Sequence, residues 1–574
     1  MSGLPPTQSL PPDVVLSVRD LSIDFTMHDY ILHAVRQVSF DLRRGETLCL
    51  VGESGSGKSV TARSLMGLVE RPGRLVGGSI LLREGDGAVD VATLDPKSRA
   101  IRAIRGKRIG LVFQEPMSSL SPVHTIGFQI GQAVRLHSGL SKDEARERTI
   151  ELLRQVEISN PAAMVDRYAF EFSGGMRQRA MIAMALAGNP EILIADEPTT
   201  ALDVTTQAEI LDLVRRLQVE KGMSMLLITH DLGVVAETAD TVAVMRYGKV
   251  VETGGVDAIF HAPQHPYTRQ LLAATVKLER GARTVAPAGE PVLSVSNLSK
   301  VYSTEGSFFG RKPFSLKAVD DVSFDLHAGE NLGIVGESGS GKTTIGKLLM
   351  RVIEPTAGSI SYRGADGAMR EVTTLDAGGL AAFRRDVRFV FQDPFGSLNP
   401  RMTVREIIAD PLVVSGLGQD RKQVQARVAE LMTMVGLDPK GMERYPHAFS
   451  GGQRQRIGIA RALALDPRVI IADEATSALD VSIRSQVLDL LLELQQRLSL
   501  SFVFISHDIS VIRYFCDRVA VMHRGKIVEI GPAAEICSAP REPYTQSLIS
   551  AVPSPDPRHK RMLNRRRFVA PVPA

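Results

Sequence analysis

The phrase VGESGSGKS begins at Val51 and VGESGSGKT begins at Val335, 284 positions later and alike in all but the last residue. A repeat at this separation constrains the chain more than any other feature, because it implies two separate machines, a working copy beside a decayed one, or two halves of one machine. The surrounding sequence repeats as well. VVLSVRDLSIDF (Val14 to Phe25) returns as PVLSVSNLSKVY (Pro291 to Tyr302), FSGGMRQR from Phe172 as FSGGQRQR from Phe449, and IADEPTTALD from Ile194 as IADEATSALD from Ile471, each at an offset of 277. HPYTRQLL from His265 is echoed by EPYTQSLI from Glu542. The chain therefore consists of two homologous halves of roughly 250 residues, and the wider offset at the glycine loop comes from an insertion around GSFFGRKPF, as a surface loop tolerates.

These boundaries divide the chain into a Pro-rich, disordered segment 1–13, a first domain 14–262 with a short extension 263–280, and a linker 281–290. A second domain 291–538, its extension 539–557 and a basic tail 558–574 complete the chain. Composition excludes some classes. With 44% hydrophobic and 23% charged residues the halves have material for sizeable cores, and a net charge of +4 from 68 basic and 64 acidic residues gives no argument for nucleic acid. The run RHKRMLNRRRF, Arg558 to Phe568, reads as a solvated terminus. Cys49, Cys516 and Cys537 stand far apart without a CxxC, which argues against a zinc site or disulfide framework and suits a reducing cytoplasm. No run of about 18 apolar residues and no leader pattern occurs, so the chain is expected neither to cross a membrane nor to be exported.

Within each half, hydrophobic runs place the motifs. ETLCLVGESGSGKSVTARSLMGL reads as a buried strand ending at Val51, a loop, and a helix from near Lys58; EILIAD and MLLITH read as central parallel strands with polar carboxyl ends. The class is α/β, and the carboxyl edge of the sheet is where such folds take ligands.

The glycine loops fit GxxxxGK[ST]. In the first, Gly52, Glu53, Ser54, Gly55, Ser56 and Gly57 would turn backbone N–H groups toward phosphate oxygens, Lys58 would reach the outer phosphates, and the Ser59 hydroxyl would hold Mg²⁺. Gly336, Glu337, Ser338, Gly339, Ser340, Gly341, Lys342 and Thr343 repeat the set. Such a loop needs a carboxylate for the metal and a group that orients or deprotonates water; Asp196 with Glu197, and Asp473 with Glu474, supply both at a strand end. His230 and His507 follow the next apolar run at a constant offset and are placed to sense the γ-phosphate. Gln114 and Gln392, each in VFQ-[ED]-P, are candidates for coordinating Mg²⁺ or the attacking water. Ser173-Gly174-Gly175 caps a helix that stops at Gly188-Asn189-Pro190. A second anion-binding helix terminus wants a second phosphate partner, which one domain alone does not offer.

Walker A, the Gln loop, SGG with QR, Walker B with its Glu, the D-loop ending at Asp203 or Asp480, and the His loop occur in that order twice. The chain resembles a tandem ATP-binding cassette (ABC) protein over nearly all its length. That resemblance implies two P-loop nucleotide-binding domains, each with an ATPase core, a helical subdomain and a short C-terminal extension. In the family each nucleotide is sandwiched between the P-loop of one domain and the SGG helix of the other, which implies Lys58 facing Ser450 and Gly452, and Lys342 facing Ser173 and Gly175. Phe25 and Tyr302 occupy the place of the adenine-stacking aromatic, although Phe25 fits a core equally well. FSGG replaces the commoner LSGG, and Met176 stands where the second half has Gln453.

HAPQHPYTRQLL and SAPREPYTQSLI resemble the C-terminal segment of importers for oligopeptides, dipeptides and nickel, and the two halves resemble the two ATPase subunits of such systems fused, as in fused peptide and glutathione importer ATPases. This likeness implies an ATPase that closes and reopens a clamp to drive import of peptides or related solutes. It also implies ATP and Mg²⁺ as cofactors, two transmembrane permease subunits docked on the loops after Gln114 and Gln392, an extracytoplasmic solute-binding protein, no nucleic acid, and a peripheral position on the cytoplasmic face of the bacterial inner membrane. Many unfused relatives carry a cysteine-rich cluster site after this segment; no such cysteines follow Tyr267 or Tyr544, so no iron–sulfur cluster is expected. The alternatives are a soluble tandem ABC protein acting on the ribosome, against which the short linker weighs, and a tandem importer ATPase for another solute such as sugar.

Overall fold

A computed structural model describes residues 10–115, 119–200, 202–280, 289–304, 314–391, 393, 396–477 and 479–568. Gln392, the first nine residues, 281–288 of the linker and the last six residues of the tail lie outside the described residues. The chain divides into two compact units, the first Met1–Ala273 with Pro553–Arg565, the second Ala274–Val552 with Arg566–Ala574.

In the first unit β1 (Val14–Thr26), β2 (Ile31–Arg43), β4 (Gly73–Glu84) and β5 (Gly87–Asp90) form an antiparallel sheet in the order β2-β1-β4-β5. The other sheet uses β3 (Thr47–Val51), β6 (Ile109–Val112), β7 (Ile192–Asp196), β8 (Ser224–Thr229), β9 (Thr241–Arg246) and β10 (Lys249–Gly255), in the order β10-β9-β3-β8-β7-β6. Every strand pair in this sheet is parallel except β9 with β10. Val51 pairs with Thr229 and with Val244, while Asp196 pairs with Ile228, so the glycine loop, the acidic pair and His230 all leave the sheet at one carboxyl edge. The central strands β3, β7 and β8 are buried on both faces, which is why they read as unbroken apolar runs.

One core joins both sheets of this unit, with Leu16, Leu21, Ile23, Leu48, Leu50, Ile80, Ile194 and Ile228 fully buried. Each such side chain contributes roughly 1.5–3 kcal/mol by leaving water. Between β6 and β7 the chain forms helices Ile126–Ser138, Lys142–Gln155 and Gly174–Ala185, capped by the side chains of Thr125, Ser141 and Ser173.

The second unit repeats this plan with β11 (Pro291–Thr304), β12 (Phe314–His327), β14 (Ala357–Arg363) and β15 (Met369–Glu371) in one sheet. The other holds β13 (Asn331–Gly336), β16 (Val387–Val390), β17 (Val469–Asp473), β18 (Ser501–Ser506), β19 (Arg518–His523) and β20 (Lys526–Pro532). Their orders, β12-β11-β14-β15 and β16-β17-β18-β13-β19-β20, match the first unit strand for strand. Its helices Val404–Val414, Arg421–Met434 and Gly451–Leu463 fill the same interval. Among the described residues no helix is long and apolar enough to cross a membrane.

The tail departs from its reading as a solvated terminus. Pro553–Arg565 belongs to the first unit, where Glu237, fully buried, accepts the backbone N–H groups of Ser554, Arg561 and Met562. Arg558 pairs with Asp257 and Arg565 with Asp212. Two of the basic residues that composition assigns to water therefore have fixed acidic partners.

Candidate functional site

Each glycine loop begins where a central strand ends. Gly57 and Gly341 precede the helices Lys58–Ser64 and Lys342–Leu349 with φ of +99° and +105°, and a Cβ there would lie 2.5 Å from the Ala34 carbonyl oxygen and 2.2 Å from that of Ala318. Only glycine meets both the left-handed backbone and the close approach. Lys58, buried, donates to Gly52 O at 2.7 Å, Glu53 O at 2.8 Å and Ser56 Oγ at 3.3 Å. Lys342 donates to Gly336 O and Glu337 O at 2.7 Å each. Both ammonium groups are thus held inside the loop by backbone oxygens, at the amino end of a helix where N–H groups point outward.

The acidic pairs divide into two roles. Ser59 Oγ donates to Asp196 Oδ1 at 2.9 Å, and in the second half the Thr343 hydroxyl acts on Asp473 to lower its carboxyl. Asp196 Oδ2 and Asp473 Oδ1 are each buried without a hydrogen-bond partner among the described residues. Burial pushes both carboxyls up, aided by the neighbouring glutamate, with Asp473 raised to about 6.

The adjacent glutamate is the more constrained residue. Glu197 and Glu474 sit at φ +47° and +46°, in the left-handed region, with their N–H groups tied to Ile228 O and Ile505 O at 2.9 Å. A non-glycine residue held there costs on the order of 1–3 kcal/mol, and the conformation is present in both halves. Glu197 Oε2 accepts from Gln114 Nε2 and Thr200 Oγ1, both at 2.9 Å, and His230 Nδ1 lies 3.2 Å from Oε1. Burial pushes this carboxyl up, but the bond and charge of His230, with Thr200 and Lys58, outweigh it and hold Glu197 at about 2. In the second half His507 Nδ1 lies 3.1 Å from Glu474 Oε1 and likewise draws the carboxyl below its ordinary value against burial. Thr200 escapes a motif-by-motif reading. Its signal is a hydroxyl three residues after the glutamate in both copies, Thr200 and Ser477, although Ser477 Oγ donates instead to the Glu474 carbonyl at 3.0 Å.

The remaining candidates lie elsewhere in each unit. Ser173 and Ser450 cap their helices, and a Cβ on Gly175 or Gly452 would press on Thr206 or Ile483, so the SGG turn packs on the helix that follows the D-loop. Asp203 caps that helix through Thr206 N at 3.0 Å, whereas Asp480 makes no side-chain cap of this kind. Phe25 packs against the first core, while Tyr302 is 42% exposed with Lys300 Nζ 5.4 Å from its ring centre. The two SGG helices also differ: Gln453 Oε1 accepts a bond from Ser450 N at 3.0 Å, closing a capping box that Met176 cannot form. Met176→Gln is therefore expected to raise the unfolding temperature of the first unit by about 1–3 °C in calorimetry.

A lysine loop and a strand-end acid pair at one sheet edge bind and split nucleoside triphosphates, and a chain that builds this edge twice is a tandem ATPase. The chain belongs to the ABC transporter family, which it matches over residues 35–200 and 319–477. Residues 251–316 and 528–571 match the oligopeptide/dipeptide transporter C-terminal region. The chain is 49% identical to the glutathione import ATP-binding protein GsiA of Escherichia coli O157:H7, over 97% of this chain and 92% of that one, and 48% identical to that of strain K12 with the same coverage. A solved ATP-binding cassette, MJ0796 in a post-hydrolysis state bound to ADP and Pi, is 28% identical with a TM-score of 0.37, covering 42% of this chain and 98% of that one.

Proposed function

We propose that this chain is the ATP-hydrolysing subunit of an importer for peptides or related small solutes, glutathione included, with both cassettes active. The observation that carries the reading is that both halves keep lysine, strand-end acid pair and histidine in one geometry, and both end in a peptide-transporter C-terminal region. The shared lysine, acid pair and histidine weigh against a decayed copy.

In this reading the loop amides and Lys58 or Lys342 bind the phosphates. Glu197 and Glu474, ionised and held by histidine, accept a hydrogen bond from water and aim it at the outer phosphorus. Gln114 and Thr200 fix the first glutamate's rotamer. The unpartnered Asp196 and Asp473 oxygens, beside the Ser59 and Thr343 hydroxyls, fit Mg²⁺, which would offset charge on the phosphate oxygens. By the family resemblance Ser173, Gly175, Ser450, Gly452, Asp203 and Asp480 also serve the nucleotide, and Phe25 and Tyr302 its base. Permease subunits are the membrane partners of such an ATPase; a solute-binding protein delivers the cargo, and the chain works peripherally at the cytoplasmic face of the membrane.

The test is affinity capture of the full chain from detergent-solubilised membranes. Two permeases, and a binding protein carrying a peptide or glutathione, are the expected co-purifying components. Recovery of ribosomes without permeases, or of a sugar-loaded binding protein, would overturn the assignment.

A further inference from the structure

The C-terminal extensions touch the glycine loops. From within β10 the Glu252 carboxylate accepts the N–H groups of Gln264 at 2.7 Å and His265 at 3.0 Å, fixing the turn that delivers Pro266 to the start of the helix Pro266–Arg280. Glu529 does the same with Arg541 at 2.9 Å and Glu542 at 3.3 Å ahead of the helix Pro543–Ser550. The tyrosine in each first turn is consequently directed inward, with Tyr267 at 3% and Tyr544 at 2% exposure. Its ring is clamped by the last residue of a strand: the Arg246 guanidinium lies 4.6 Å from the Tyr267 centroid, and the His523 ring stacks 4.1 Å from that of Tyr544.

Each hydroxyl then accepts a hydrogen bond from the second residue of the loop, Glu53 N to Tyr267 Oη and Glu337 N to Tyr544 Oη, both at 3.2 Å. The carbonyl of that same residue accepts the ammonium, Glu53 O from Lys58 at 2.8 Å and Glu337 O from Lys342 at 2.7 Å. One residue thus links tyrosine to lysine in both copies, although the ring is clamped by arginine in one and histidine in the other.

We infer that Tyr267 and Tyr544 are positioning residues for nucleotide binding: each hydroxyl fixes the loop residue that holds the lysine, which makes the C-terminal extension part of the ATP site. This rests on reading the loops as phosphate-binding. Phenylalanine would fill the same space, so burial alone does not call for the hydroxyl; the loop N–H does.

The test uses the full chain and titration with MANT-ATP in EDTA, which stops hydrolysis. Tyr267→Phe with Tyr544→Phe is expected to weaken binding about fivefold, the effect of one hydrogen bond, while the unfolding temperature falls by no more than about 3 °C. Lys58→Ala with Lys342→Ala weakens binding more, and adding the tyrosine changes to that background weakens it no further. Unchanged affinity in the lysine variant would refute the loops as nucleotide sites. A weakened lysine variant beside an unaffected tyrosine variant would overturn the brace alone, as would an additive loss in the combined variant or a fall in unfolding temperature without a change in affinity. The single tyrosine variants carry the same comparison for each loop.

Discussion

Glu197→Gln combined with Glu474→Gln lowers ATP turnover by about a hundredfold or more and leaves nucleotide affinity within a few-fold of the parent. The substitution is isosteric, so the left-handed backbone at φ +47° and +46° and the N–H bonds to Ile228 and Ile505 are retained. What is lost is an ionised acceptor. Gln114 and Thr200 both donate to Glu197 Oε2, and His230 holds Oε1, so the carboxylate is already oriented and charged before substrate arrives. A glutamine amide retains one oxygen but no charge, and it turns an N–H group toward one of these donors. Each single variant should lose part of the turnover, and their ratio measures how unequal the two sites are. Steady-state ATPase assays with saturating MgATP decide it, and a double variant that keeps more than about a tenth of the parent rate would remove Glu197 and Glu474 from the chemistry.

The parts of this site that the sequence discloses are those whose geometry is local. A strand that ends at Val51 and a helix that starts at Lys58 leave few paths for the loop between them, and IADE places its acids at a strand's carboxyl end by the length of the apolar run alone. Register then brings them together, because parallel neighbours share an edge. The contacts that escape are those made by residues distant in the chain whose type admits a simpler explanation. Thr200 reads as one hydroxyl in a turn, and Tyr267 as one ring of an importer-like segment; the position of Glu53 N gives its hydroxyl a purpose. Phe25 and Tyr302 share a motif position but not an environment, so a motif carries the place of a ring without fixing what covers it.

In the tail the cause is more distant still, and it gives the second large effect. Charge counting places Arg558 to Phe568 in water, because a basic run has no local reason to fold. Glu237 supplies a distant reason. Its Oε1 accepts Ser554 N at 3.0 Å, Arg561 N at 2.8 Å and Met562 N at 2.9 Å, and Met562 is fully buried beside it. The internal repeat does not reveal this, since the position equivalent to Glu237 is Tyr514, whose hydroxyl donates to Asp489. Glu237→Ala would leave three N–H groups without their acceptor, at about 1–3 kcal/mol each if they stayed buried, so the segment is expected to detach instead. Trypsin should then cut after Arg558, Lys560 or Arg561 at least about tenfold faster than in the parent, in the regime where cleavage follows the population of the open form. The exposed Arg558–Asp257 pair is worth little by comparison, and Arg558→Ala should change cleavage at the other two sites by less than about threefold. Glu237→Gln retains an oxygen at the position of Oε1 and should protect the segment nearly as well as the parent. Equal cleavage rates for the alanine and glutamine variants would show that packing around Met562, not the three hydrogen bonds, holds the tail in place.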